Sequence, residues 1–505
     1  MSIEPAVRPV TPAAPAAGAA PPGAAPSPPA PDPGAAQQAA AQLLTRSYCT
    51  QHDVAPLAYE NGVLTVGVIK GQAEERIREL RTITGKRVRA QVLSHDAVRD
   101  EIARIYASGE KKAADVEDPP AVRERDEIYA SAVQKRASDI HIEPTAQGGG
   151  RVRLRIDGLL HEERVIPPQL YPRVLSVIRM STGKGISSVL KPLDARTTIQ
   201  VDHRSVDARI SSVPLIAGEK IVIRLLSQHL LVPALDECGM SPDLLKIYRR
   251  ALHAPYGAIV FVGPTGCGKT TSLYASTGEL DRKTRNVCSI EDPVEVRIPD
   301  VSQMQINEAQ ELTFAEALRS LMRQDPNVLI IGEMRDPETV SAGISAALTG
   351  QLVLTTLHSS DALRAINRLT DLGASRSQIV SALTLIAAQR LLRRLCECKR
   401  RVEPPKELLE RFPRAASRVE MGYAEPVGCA LCDGKGFKGR LGVYELLPFT
   451  ENVATAILAG VTPTELAATA TPDGYAPMFE HGMEHVFGGE TSYDELRRVV
   501  TSVDD

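Results

Sequence analysis

The spacing of apolar residues changes along this chain, and each change marks an element. Residues 57–59 and 63–69 alternate apolar and polar positions on either side of Glu60-Asn61-Gly62. Alternation with period two predicts strands, and Asn-Gly between them supplies the positive φ of a hairpin turn. Over 72–82 the period lengthens. Ile77 and Leu80 share one helical face, and Gly85 can end that helix. Residues 87–93 return to strand alternation. Ser94 then caps a helix bearing Val98, Ile102, Ile105 and Tyr106. The pattern predicts a small folded unit over 41–107 and a charged linker over 108–123, which contains Pro119-Pro120.

Short alternating strands follow at 139–143, 151–156, 198–201, 206–210 and 220–225, with a helix over 172–181. This predicts an α+β domain over 124–235. The next domain, 236–505, has a different rhythm. Continuous apolar runs at 258–262, 328–331 and 352–356 alternate with helical stretches. Runs with no polar face, separated by helices, predict an α/β domain whose parallel sheet is covered on both sides. Beyond about 450 the pattern is helical.

Composition changes this picture at the start of the chain. Residues 1–40 hold 11 Pro and 14 Ala, too little large apolar surface for a core, so an extended, disordered arm is expected there. The 505 residues carry 59 Lys+Arg against 62 Asp+Glu, a net charge of −3. A globally basic nucleic-acid coat is excluded, and the absence of Trp with only 4% aromatics argues against a base-stacking surface. No run approaches the ~18 apolar residues of a membrane span. The first residues lack the basic and apolar succession of a secretory signal. Eight cysteines are too sparse for a disulfide scaffold at this length.

The strongest chemical motif follows the apolar run 258–262. It reads Gly263-Pro264-Thr265-Gly266-Cys267-Gly268-Lys269-Thr270-Thr271, and a helical stretch comes next. This is G-x-x-x-x-G-K-T between a strand and a helix. Its glycines let backbone N–H groups turn inward on a phosphate, and the helix start adds unsatisfied donors. Lys269 is expected to reach the β- and γ-phosphates of ATP, and the Thr270 hydroxyl to ligate Mg²⁺. A second apolar run ends in Gly332-Glu333, which places a carboxylate at the crevice end of a parallel strand. Glu291, Asp292 and Glu295 follow another apolar strand, and His358 ends the run through Thr356 and Leu357. Glu291 or Glu333 could polarise a water, and His358 could sense the γ-phosphate.

With these residues together, the chain resembles the type II secretion and type IV pilus-assembly ATPases. The resemblance is carried by 263–271, 289–295, Gln324-Asp325-Pro326-Asn327, 328–336 and 349–358. Upstream it is carried by 136–144 and by Arg153-Leu154-Arg155-Ile156-Asp157-Gly158, together with 207–209 and 218–224. It is dense over 124–450, weaker over 41–107 and absent over 1–40. It implies a RecA-like P-loop core preceded by small α+β domains and carrying a zinc knuckle. It also implies a homohexamer in which arginines of the second N-terminal domain, here Arg153 and Arg155, reach the nucleotide. Such a motor is cytoplasmic and peripheral to the inner membrane. It touches that membrane only through a platform protein and a cytoplasmic-domain partner.

Cys396-Glu397-Cys398 and Cys429-Ala430-Leu431-Cys432 are two close pairs separated by a loop, the sequence form of a four-thiolate Zn²⁺ site. The family normally shows two C-x-x-C pairs; here the first is one residue short. Cys49, Cys238, Cys267 and Cys288 read as small apolar residues. Relatives that bind a cyclic dinucleotide carry an Arg-Leu-Gly motif that is missing here before residue 57, so that ligand is not expected. The sequence therefore predicts an ATP-driven motor for type II secretion, with pilus extension as the alternative. A nucleic-acid translocase and a non-hydrolysing nucleotide scaffold stand further off.

Overall fold

Asn61 and Gly62 adopt φ of 51° and 76°, and around them β1 (Val54–Glu60) and β2 (Val63–Ile69) pair antiparallel. Helix Ala73–Thr84 carries the chain across to β3 (Arg87–Leu93), which lies parallel to β2. Gly85, at φ 66°, ends that helix and donates its N–H to Arg81 O. Helix His95–Ala107 completes the layer, and Leu64, Val66, Val68, Leu80, Val98 and Ile102 form the core.

The computed structural model describes residues 33–44, 46–107, 119–182, 191–201, 204–226, 232–307, 312–418 and 420–500. Most of the Pro/Ala-rich arm (1–32) and most of the linker (108–118) lie outside them. Within the arm, residues expected to be extended form helix Pro33–Ala41 instead. Prolines stop at Pro33, where the first helical turn tolerates one, and the alanine-rich run that follows has the highest helix propensity. The buried Ala40 joins the core, and Gln37 Nε2 donates to Glu101 Oε1 at 2.9 Å. Similarly, Pro120 opens a helix, Pro120–Gln134, so residues 120–123 are helical rather than linker. The chain divides into two units, Met1–Arg123 and Glu124–Asp505.

The second unit begins with β4 (Asp139–Pro144), β5 (Gly150–Ile156), β6 (Leu159–Ile166), β7 (Leu193–Val201), β8 (Arg204–Leu215) and β9 (Gly218–Leu226). They form an antiparallel sheet in the order β6-β5-β4-β9-β8-β7, backed by helix Tyr171–Met180.

A larger sheet follows, from β10 (Gly257–Val262), β11 (Val287–Glu291), β12 (Ser302–Gln305), β13 (Val328–Ile331), β14 (Leu352–Leu357) and β15 (Leu383–Leu395). Two short strands, β16 (Arg400–Arg401) and β17 (Ala424–Glu425), pair with each other, and β18 (Phe437–Pro448) closes the large sheet. Its order is β12-β11-β13-β14-β10-β15-β18. Every neighbouring pair is parallel except β15 and β18, which run antiparallel. Because side chains alternate along a strand, β10 feeds two cores. Ala258, Val260 and Val262 join one, and Ile259 and Phe261 the other. Each of the buried Val, Ile and Phe side chains stabilises the sheet by ~1.5–3 kcal/mol.

Candidate active site

Parallel strands bring their carboxyl ends to one edge. Val262 is in register with Leu357, Ile331 with Thr355, and Ile290 with Ile331. The segments after β10, β11, β13 and β14 therefore open onto a common crevice. Two backbone bonds and one side-chain bond lock their spacing. Gly332 N donates to Ile290 O at 2.8 Å, Met334 N to Thr356 O at 3.0 Å, and Thr356 Oγ1 to Gly332 O at 2.7 Å.

The loop after β10 turns at glycines that no other residue could replace without strain. Gly263 sits at φ 152°, and a Cβ there would lie 2.6 Å from both Cys267 Sγ and Gln389 O. Gly268, at φ 90°, caps helix Lys269–Glu279, and a Cβ there would lie 2.9 Å from Gln389 Nε2. Pro264, Thr265 and Gly266 form the exposed tip, Cys267 is buried, and Thr270 and Thr271 are half-buried in the first helical turn. Lys269 folds back on its own loop, donating to Gly263 O at 2.7 Å and Pro264 O at 3.0 Å. Burial lowers its pKa below the ordinary lysine value, Cys267 and Glu333 pull it back up, and Arg390 lowers it further.

Glu333 is half-buried just beyond β13, with one oxygen 2.8 Å from His358 Nε2 and the other accepting from Arg335 Nε at 2.6 Å. Glu333, Arg335, Leu357, His358 and Arg368 line a cavity of ≈ 300 Å³. Glu291 has different surroundings. It is 4% exposed and accepts from Ser289 Oγ at 2.5 Å, from Gln303 Nε2 at 3.1 Å and from Tyr274 OH on the phosphate-loop helix. Asp292 and Glu295 are exposed, and Glu295 N donates to Tyr274 OH at 3.3 Å.

Arg153 and Arg155 lie on β5, in the six-stranded sheet. Arg153 holds Glu143 on β4 through two bonds of 2.9 Å. Arg155 lies 3.2 Å from Asp139 and donates to Gly158 O. In this chain both are therefore engaged with partners of their own sheet. Sequence reasoning missed Gln389 and Arg390 on β15, beside the phosphate loop. The signal was a polar pair inside an otherwise apolar run.

The four cysteines between β15 and β18 converge. Their Sγ atoms all lie within 4.8 Å of one another, with separations of 3.9 Å for Cys396–Cys429, 3.9 Å for Cys398–Cys432 and 3.8 Å for Cys429–Cys432. A tetrahedron built on Zn–S bonds of ~2.3 Å has edges of ~3.8 Å. The donor set thus suits a zinc-sized ion despite the short first pair. Burial raises the Cys432 thiol, but N–H groups of Cys429 and Gly436, each 3.2 Å from its Sγ, bring it down to about 6. All eight cysteines are free thiols.

Residues 114–498 match the family described as Type II/IV secretion system protein, and residues 29–112 match the MshEN domain. The chain is 37% identical over 390 residues to a type IV pilus assembly ATPase PilB of Acinetobacter baylyi, covering 76% of this chain and 67% of that protein. It is also 37% identical over 385 residues to a type II secretion system protein E of Klebsiella pneumoniae, covering 76% of each. Among solved structures, the Legionella pneumophila ATPase DotB superposes with a TM-score of 0.56 at 20% identity, over 76% of this chain and 97% of that one.

Proposed function

The chain belongs to the type II/IV secretion system protein family and is an ATP-hydrolysing P-loop enzyme, and we propose that it is the motor ATPase of a type II secretion system. The observation that carries its chemistry is the Glu333–His358 contact across the crevice from Lys269. We assign the phosphates of ATP to residues 263–271, with Lys269 leaving Gly263 O and Pro264 O to meet the β- and γ-phosphates. Glu333 orients the attacking water: one oxygen is fixed by His358, the other accepts from Arg335, and the residue lines a cavity that a water can enter. Glu291 already accepts from three donors, and its part is to tie the phosphate-loop helix, through Tyr274, to the neighbouring strand. Thr270 would hold Mg²⁺, which when bound offsets charge on the phosphates. Cys396, Cys398, Cys429 and Cys432 would hold a structural Zn²⁺.

In the working motor we infer a homohexamer. Arg153 and Arg155 reach a nucleotide there by exchanging Glu143 and Asp139 for phosphoryl oxygens. No described helix is long and apolar enough to cross a membrane. On family membership, the reading places the motor at the cytoplasmic face of the inner membrane, held by the platform and cytoplasmic-domain proteins of the machine. Nucleic acid has no role in it. The equal identity to the PilB relative favours a second reading, pilus extension. Lys269→Ala in the full chain should abolish phosphate release, and unchanged turnover would remove the site assignment. Deleting the gene separates the machines: loss of exported enzymes from the medium with intact surface pili supports secretion, and the reverse supports extension.

A further inference from the structure

A second cation stands at the phosphate loop. Arg390, on β15 next to β10, places its Nη1 3.1 Å from where a Cβ on Gly263 would sit. The same Nη1 donates to Gln389 O at 2.9 Å, and Nη2 donates to Ser360 O in the loop that follows His358. Both partners are neutral carbonyls. Among the described residues no carboxylate pairs with this guanidinium. Arg179 and Arg393, by contrast, are matched with Glu219 and Glu495. Arg390 is also close enough to Lys269 to oppose its charge. Two cations therefore crowd one loop, with Cys267 and Glu333 acting on Lys269 from the other side and Glu333 the one carboxylate among the influences on it. Such an arrangement is completed by a polyanion that both can share.

We propose that Arg390 is a nucleotide-binding residue whose guanidinium exchanges Ser360 O for a phosphoryl oxygen, so that nucleotide binding releases the 358–361 loop. Lys269 makes the parallel exchange, giving up Gly263 O and Pro264 O. The two displacements link occupancy of the loop to the position of His358, because Ser360 lies two residues beyond it. The inference rests on the assignment of ATP phosphates to residues 263–271.

The test uses the full chain with ADP and a non-hydrolysable ATP analogue as probes. Arg390→Gln keeps an N–H donor for Ser360 O and removes the charge, whereas Arg390→Lys keeps the charge. A charge-assisted phosphate contact predicts that Arg390→Gln binds both nucleotides about tenfold more weakly, and that Arg390→Lys recovers most of the loss. Hydrogen exchange on the native chain supplies a readout that needs no variant: amides of 359–361 should exchange faster once the analogue is bound. Native-like affinity in Arg390→Gln, or slower or unchanged exchange at 359–361, overturns the proposal. If Lys269→Ala also bound and hydrolysed ATP normally, the phosphate-site assignment itself would fall. A dead Lys269→Ala beside a native-like Arg390→Gln removes the role of Arg390 alone.

Discussion

His358 Nε2 lies 2.8 Å from Glu333 Oε1, so the first side chain beyond one parallel strand fixes the carboxylate that follows its neighbour. In the proposed mechanism this contact orients the base, whose second oxygen is ion-paired with the exposed Arg335. Glu333→Gln keeps the size and one acceptor and removes the basicity. It should lower turnover about 10²-fold or more while the ATP analogue binds within about threefold of native. Phosphate release and equilibrium binding on the same preparation check this. Turnover near the native value would transfer the role to Glu291.

The phosphate loop and the strands that lead to this crevice are legible because their chemistry fixes their spacing. A phosphate loop needs glycine at 263 and 268 for backbone reasons that leave no freedom, and an apolar strand of four to six residues announces itself when buried on both faces. Strands β15 and β18 were not legible. Residues 383–395 end in Arg390-Leu391-Leu392-Arg393-Arg394-Leu395, a spacing that suits a helix as well as a strand, and only pairing with β10 and β18 decides it. The segment 437–448 was hidden behind the cysteines, whose spacing directed attention to a metal. Composition masks helix Pro33–Ala41, since Pro and Ala both lack large apolar surface yet act oppositely on helices.

The cysteine cluster predicts a metal content. Four Sγ atoms within 4.8 Å, two of them buried, are set to take one zinc per chain. Elemental analysis of the native chain should find it, and Cys398→Ser should reduce it well below one. Because binding energy at such a site is folding energy, the variant should also melt lower by about 2–4 °C or more. A metal-free native chain with an unchanged melting point after chelation would refute the assignment.

Glu143 predicts an acid limit. Burial alone would raise its pKa, but hydrogen bonds from Arg153 and Lys220 outweigh burial and hold it at about 2. The native state therefore keeps this group ionised where the unfolded chain, with a carboxyl near 4.5, takes up a proton. Its stabilisation is complete above pH 4.5 and is lost as the pH falls toward 2. Urea unfolding at pH 5 and pH 3 should show a larger loss for the native chain than for Glu143→Gln. Equal losses would mean that the pairs with Arg153 and Lys220 contribute nothing.

Glu445 acts in the opposite direction and in a separate window. It sits on β18, 5% exposed, and accepts from Ala362 N at 3.0 Å and Met478 N at 3.3 Å, the first residues of helices Ala362–Asp371 and Met478–Phe487. One carboxyl group thus caps two helices, the first of which starts just beyond the His358 loop. Burial is the largest influence on it and raises its pKa to about 7. The N–H groups of Ala362 and Met478 and the hydroxyl of Tyr475 only partly offset burial, and the nearby Asp361 reinforces it. Between pH 4.5 and 7 the native state retains a proton that the unfolded chain has released, so this group makes stability fall as pH rises through that interval. Glu445→Gln cannot titrate and should unfold with a flatter profile from pH 5 to 7.5. Glu445→Ala should be less stable at every pH, by ~1–3 kcal/mol for each N–H left without a partner. Urea midpoints for the three proteins at pH 5, 6 and 7.5 decide the matter. Parallel profiles for the native chain and Glu445→Gln would show that Glu445 titrates as an ordinary carboxylate and that the two helix starts tolerate its charge at no cost.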